Sequence, residues 1–386
     1  MASPRRALVL VAFVLATACR PSSESALGRP TVIAAGVEMY RTADDTLVAG
    51  AGPIAVTLLK LDPQAVTLQS ALSNRDVMHA DTVENIARSV GAIAAVNGGY
   101  FNRDNGEPIG LLKVGGELVS DTGAPRGAVA ITQAPDGRTR LVFDQLAARV
   151  SLSFTAGDGA RILPIDGVDT TRARGKLMLY TPKYHPDTDT APTGTEWVLD
   201  GSPLRVVDVR MNFGHTRIPE HGAVLSFGGT DLPEDLAALV EGVAVTFDVR
   251  WSSARGVPSD RLDAATDIVA GAGLLRTDGN LVQDWSSEML SVADFTAARH
   301  PRTVIGVDRG GFIWLVVVDG RQPGYSIGMT FADLQRLADR LHLTDALNLD
   351  GGGSTTMVVN GQGVNHVSDA GGPRAVSDAL VVLPRR

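Results

Sequence analysis

Cysteine is almost missing from the chain: its 386 residues include one, Cys19. A single thiol excludes an intrachain disulfide framework and a zinc site built from several thiolates. Aromatic residues make up only 5%, so a surface of stacking rings for nucleic-acid bases is not expected. Basic residues are outnumbered, 35 Lys and Arg against 43 Asp and Glu, for a net charge of −8. That balance leaves no electrostatic footprint for nucleic acid. No apolar run is long enough to cross a bilayer as a helix. Metal motifs are lacking too. His79, His185, His215, His221, His300, His342 and His366 have no ligand-like spacing, and neither H-E-x-x-H nor an EF-hand loop occurs. The sequence requires no cofactor, although a calcium held by carboxylates and backbone carbonyls would need no short motif.

What is present describes a folded, exported chain. Apolar residues are 44% and charged residues 20%, enough to bury a core and unlike a disordered or fibrous protein. The length suits two domains or one large one. Glycine is abundant, 42 of 386, as in sheet-rich folds with many tight turns. At the start, Arg5 and Arg6 precede a short apolar run over residues 7–14, then Ala16-Thr17-Ala18 and Cys19. A positive region, a short apolar stretch and small residues describe a secretory signal. The segment resembles a bacterial lipobox with Cys19 as the lipidated residue. Residues 1–18 then read as a lipoprotein signal peptide and 19–30 as a tether. The mature protein would sit at the cell envelope, touching membrane only through its lipid.

Beyond the tether, strands dominate. Residues 54–59 and 65–69 are β-rich runs parted by Asp62-Pro63, and 31–90 reads as a strand-rich N-terminal part. A helix is expected over 82–90, then a small buried strand over 92–96. Hairpin patterns follow at 112–119 and 128–143. The stretch 150–260 alternates short strands and loops and suits an insertion or subdomain, with 181–195 its least regular part. Residues 312–318 form a continuous apolar strand, Thr330 with Asp333 opens a capped helix, and 346–349 returns as a strand. The expectation is an α+β or mixed α/β fold, strand-rich, with mixed sheets and a few packed helices.

Several segments carry chemistry. In Asp350-Gly351-Gly352-Gly353-Ser354, three glycines allow close backbone approach and an anion nest, beside a carboxylate and the hydroxyls of Ser354 and Thr355. A glycine-rich turn with a capping aspartate would use the same residues. Asn97-Gly98-Gly99-Tyr100-Phe101 has similar logic, or is a bend that tucks its two rings into the core. Arg302, at the start of a strand, can clamp a phosphate or serve as a loop charge. Gly324-Tyr325-Ser326-Ile327-Gly328 matches a nucleophile elbow, with Asp350 and His366 following. However, neither the strand before nor the helix after Ser326 is placed as an elbow needs.

In combination these segments are specific. Residues 94–101, Pro108-Ile109-Gly110-Leu111-Leu112, Pro301-Arg302-Thr303-Val304-Ile305-Gly306-Val307-Asp308, Val318-Asp319-Gly320-Arg321, residues 347–354 and Arg374-Ala375-Val376-Ser377-Asp378 resemble the motifs of the phosphodiester glycosidase family. The resemblance covers roughly residues 91–383 and places that family's domain at 91–386. One departure is Gly271-Ala272-Gly273-Leu274-Leu275, which lacks the proline of a Gly-Gly-Pro-Leu segment. Membership implies hydrolysis between a sugar's anomeric carbon and a phosphodiester, with an N-acetylglucosamine-like sugar released beside a phosphate monoester. The partner implied is a phosphorylated glycan or sugar-1-phosphodiester. On that basis Asp350 is the leading catalytic carboxylate, Asn97 orients the substrate, and Asp319 is a second carboxylate. Arg302, Thr303, Gly351, Gly352, Gly353, Ser354, Thr355 and Arg374 are the expected phosphate-binding residues. Two other readings compete: a serine hydrolase using Ser326, and an envelope lipoprotein that binds such glycans without cleaving them.

Overall fold

A computed structural model describes residues 27–43, 52–121, 125–157 and 159–385. The signal segment, most of the tether and Cys19 lie outside the described residues. The chain is built mainly from antiparallel sheets. An eight-stranded sheet runs in spatial order Thr31–Ala34, Val37–Thr42, Val56–Leu61, Ile313–Val318, Arg302–Asp308, Leu343–Asn348, Leu274–Thr277, Asn280–Leu281. A five-stranded sheet runs Gln362–Gly363, Met357–Val359, Ala94–Asn97, Asp378–Pro384, Val66–Leu72. The N-terminal part therefore supplies strands to both, and pairs directly with the C-terminal strand Ile313–Val318.

The buried strand Ile313–Val318 shows why this layering forms. Successive strand residues point to opposite faces, so Ile313, Leu315 and Val317 join the core shared by the two sheets. Trp314, Val316 and Val318 face the other way, onto Phe331, Leu334, Leu337 and Ala338. Those four belong to the helix Phe331–Arg340, which Thr330 and Asp333 start with a capping box. Burying each large apolar side chain contributes about 1.5–3 kcal/mol, so a continuous apolar strand is stable only between two layers. On the outer face of the five-stranded sheet, the helix Val83–Ser89, capped by Thr82, packs Val83, Ile86 and Ala87 against Ala95, Val358 and Val381.

A seven-stranded sheet centred on the long strand Thr139–Ala156 and a second five-stranded sheet, Gly167–Val168 through Arg205–Met211, complete the molecule. Residues between Val150 and Val249 share a core cluster of their own, while Met178, Tyr180 and Tyr184 reach into the main core. The strand-rich expectation matches, but the balance is further toward β than an α+β reading implies. Among the described residues four short α-helices occur, and the sheets are scarcely mixed. Gly167–Val168 with Leu177–Tyr180 is the parallel pair; the other pairs are antiparallel, some closed as hairpins by short turns and others joining strands far apart in the chain, as Val56–Leu61 with Ile313–Val318. No described helix is long and apolar enough to cross a membrane.

Candidate active site

The Asp350–Ser354 corner lies where the chain leaves one sheet for another. The strand Leu343–Asn348 ends beside Arg302–Asp308 in the eight-stranded sheet, and Met357–Val359 begins beside Ala94–Asn97 in the five-stranded one. Between them Gly352–Ser354 makes one turn of 3-10 helix. The corner is locked from both sides. Leu349 N–H donates to the Thr303 carbonyl at 2.8 Å, Gly352 N–H to Pro301 at 2.9 Å, and Asp350 N–H to Gly98 at 3.2 Å.

Asn97 is the pin between the sheets. It is 1% exposed. Its Nδ2 donates to the Asp350 carbonyl at 2.8 Å, and its Oδ1 accepts from Thr303 Oγ1 at 2.7 Å and Thr356 N–H at 3.2 Å. Asn97 and Thr303 thus stand at the site but spend these groups on the protein itself. The glycine amides are also largely committed. Gly351 N–H donates to the Asp350 carboxylate at 2.7 Å, Gly352 N–H to Pro301, and Ser354 and Thr355 close the turn. An open nest of three amides is therefore not formed; the N–H of Gly353 alone lacks an acceptor among the described residues of this corner. A 3-10 turn consumes its own donors in i→i+3 bonds, which a run of glycines does not announce. The hydroxyls of Ser354 and Thr355 are buried without a well-formed hydrogen bond.

Asp350 itself is only partly buried. Burial pushes its carboxyl up to about 6, against the lowering effects of the nearby Ser354 hydroxyl, the Gly351 N–H and Arg374, and Asp378 raises it further. Tyr100, also partly buried, donates to the Leu349 carbonyl at 3.2 Å and accepts from Asn348 Nδ2 at 3.4 Å. Its phenol is held protonated by burial and by the Asp350 charge. Of the two rings after the Gly98–Gly99 bend, Phe101 is tucked into the core, while Tyr100 lies against Asp350.

Three arginines surround the corner in different states. Arg302 is 2% exposed. Its Nε donates to Met329 O at 3.0 Å, and Nη2 to Phe295 O at 2.6 Å and Ala298 O at 3.0 Å. Phe295 and Phe331 lie against its guanidinium, with centroids 5.2 and 5.0 Å away. No carboxylate pairs with it among the described residues, and Nη1 has no protein acceptor. Burial lowers it to about 10, with Tyr100 raising it and Arg321 lowering it, so it stays cationic at neutral pH. Arg321, which sequence reading quoted but did not select, is exposed and lies over Gly352. Its polar contact is His300 Nδ1 at 3.3 Å. Arg374 is paired with Asp369, Nη2 to Oδ2 at 2.7 Å. That pair fills the space a side chain at Gly353 would need: a Cβ there would lie 2.1 Å from Arg374 Nη2 and 2.3 Å from the Asp369 carboxylate.

Asp319 does not join these groups directly. It is buried, and its carboxylate accepts from Asn365 Nδ2, Tyr325 O–H and His366 N–H at 2.9–3.2 Å. Asn365 then holds the Thr355 carbonyl and Met357 N–H, so Asp319 braces the corner from one residue away. Ser326 is overturned as a nucleophile. It is fully buried, with its hydroxyl donating to Asp319 O at 2.6 Å and accepting from Ala55 N–H at 3.0 Å. The Gly271–Leu275 loop is held by buried Glu288, which accepts from Gly273 and Leu274 N–H, and by Asn348. Among the described residues, the group of carboxylates and histidine close enough to share a cation is Asp187, Asp189 and His215. It contains none of the corner residues.

Residues 198–383, just under half of the chain, match the family model of phosphodiester glycosidase. The stretch contains Arg302, Arg321, the Asp350–Ser354 corner and Asp378, and the resemblance read from the motifs is shown over it. A Bacillus subtilis (strain 168) protein, the SPbeta prophage-derived uncharacterized protein YomE, is 37% identical over 97 residues. That match spans 25% of this chain and 15% of the relative. Among solved structures, a hypothetical protein from Synechocystis superposes with TM-score 0.74 at 24% identity, covering 92% of this chain and 64% of its own. A Burkholderia pseudomallei K96243 protein described as exported superposes with TM-score 0.74 at 27% identity, covering 88% and 76%. The fold is shared along nearly the whole chain.

Proposed function

From the phosphodiester glycosidase match across residues 198–383, we propose that the corner hydrolyses the bond between a sugar's anomeric carbon and a phosphodiester. The observation that carries this reading is the set of cationic and donor groups around the corner. Among the described residues neither buried Arg302 nor exposed Arg321, which lies over Gly352, has a carboxylate partner, and the Gly353 N–H has no acceptor. An incoming phosphate would supply the counter-charge to these groups through charge-assisted hydrogen bonds. Arg321, Arg302 Nη1 and Gly353 N–H hold the phosphate in this reading, with Ser354, Thr355 and Arg374 lining it. Asn97, Thr303 and Asp319 keep the corner in shape.

Asp350 is the carboxylate that meets the sugar. The anomeric C–O bond breaks, its electron pair leaves with the phosphate oxygen, and Asp350 stabilises or captures the oxocarbenium-like centre. Water then supplies a hydroxyl to the anomeric carbon, and its proton passes to a carboxylate or to the departing phosphate. A phosphate monoester is a good leaving group, so little acid assistance is required and the ionised form of Asp350 is the active one. The sugar we propose is N-acetylglucosamine-like. The relative described as exported, together with the lipobox-like Cys19 segment, supports a place at the bacterial cell envelope, anchored through that cysteine.

The test is a panel of α- and β-linked sugar-1-phosphate methyl esters hydrolysed in 18O-water by the mature protein. Free sugar carrying 18O plus methyl phosphate, lost in Asp350→Asn with an unchanged circular dichroism spectrum, is the expected result. Label in the phosphate would mean P–O cleavage. Saturable binding with no product would mean a glycan-binding protein.

A further inference from the structure

Behind the site lies a carboxylate that the proposed reaction does not use. Asp378 opens the strand Asp378–Pro384 and is 1% exposed, too buried to touch a substrate. Its carboxylate accepts from Gly99 N–H at 3.2 Å to Oδ1 and 3.4 Å to Oδ2, and from Ser377 Oγ at 3.0 Å. Its carbonyl accepts Gly98 N–H at 3.0 Å. Among the described residues no cation pairs with it. A Cβ at Gly98 would lie 1.9 Å from Asp378 Oδ2, so the carboxylate occupies the room that only glycine leaves at that position. The connection onward is short: the Gly98 carbonyl accepts the Asp350 N–H, and Asn97, next in the chain, holds the Asp350 carbonyl.

We infer that Asp378 is a positioning residue for Asp350: it fixes the Gly98–Gly99 bend on which Asp350 rests. This rests on the reading of Asp350 as the reacting carboxylate. Burial is the main reason both acids lie at about 6; Ser377 and Gly99 oppose it at Asp378, and the like charge of Asp378 adds a smaller rise at Asp350. The other groups facing Asp350 are Arg374 from the segment before the last strand, Ser354 from its own turn, and Tyr100 from the hairpin strand Tyr100–Phe101. Ser354, the Gly351 N–H and Arg374 favour its ionised form, while burial, and to a lesser degree the like charge of Asp378, delay it.

The experiment follows the pH profile of kcat/KM and a 13C-carboxyl NMR titration of Asp350 in the wild type and in Asp378→Asn. Asparagine keeps the shape and an acceptor for Gly99 N–H. The plateau rate is expected to stay within about tenfold of wild type, and the Asp350 midpoint to move down by less than about one pH unit, because burial is kept. Asp378→Ala, which also frees the bend, is expected to lower kcat by about 100-fold, with KM changed far less. Wild-type kcat in Asp378→Ala overturns the inference. Turnover that survives Asp350→Asn would instead sink the proposed reaction, and the amide shifts of Gly98, Gly99 and Asp350 in Asp378→Ala would still decide whether Asp378 holds the bend.

Discussion

Two arginines that look alike in sequence do different work. Arg302 is a buried member of the fold, with three backbone carbonyls on its guanidinium. Arg321 is exposed, and among the described residues its guanidinium is held by His300. Arg321→Ala is therefore expected to lower kcat/KM for a sugar phosphodiester by about 10–100-fold, mainly through KM, as loss of a charge-assisted contact does. Its melting temperature should stay close to wild type. Arg302→Ala should cost on the order of 1–3 kcal/mol of stability or more, measured by denaturant unfolding, because the carbonyls it serves are left buried. Equal stability of the two variants would reverse the assignment. Asp350 and its glycines stand together in the sequence and could be read there. Asn97 could be marked but not given its task, since the groups it bonds, Thr303 and Asp350, lie 206 and 253 residues away.

Turns and strand ends decide what those residues can reach. The glycine run reads as an anion nest, yet its turn bonds most of its own amides, and the space beside Gly353 belongs to the Arg374–Asp369 pair. Gly353→Ala should displace that pair and reduce activity at least tenfold while leaving the melting temperature nearly unchanged. Wild-type turnover in this variant would show that the pair has no part in substrate handling. The strand over residues 312–318, the capped helix after Thr330 and the helix after Thr82 were legible because capping and apolar periodicity are local signals. Which sheet each strand joins was not, because Val56–Leu61 meets Ile313–Val318 across some 250 residues of chain.

Across the whole molecule, buried acids set a direction for stability with pH. Burial raises Asp121, Asp350 and Asp378 to about 6 from an ordinary 3.8, and Asp169 well above it. Each binds its proton more tightly folded than unfolded, so its stabilising contribution is complete below about pH 4 and is lost as pH rises through 6. Asp350→Asn is thus expected to be more stable than wild type at pH 7.5, by on the order of 1–3 kcal/mol, and equal to it near pH 4. Thermal melts at the two pH values check this; a deficit at pH 7.5 would contradict it. The sequence by itself determined that the chain is strand-rich and short of thiols and basic charge, and that its motifs resemble phosphodiester glycosidases, because composition, periodicity and short motifs are properties of neighbouring residues. Only the tertiary structure decided that Ser326 is buried and bonded within the fold, that Arg302 is buried with no carboxylate partner among the described residues, that Tyr100 lies against Asp350 and Arg321 over Gly352, and that Asp378 lies behind the Gly98–Gly99 bend. Burial and contact between distant segments arise only when the sheets pack, and no local pattern in the chain encodes them.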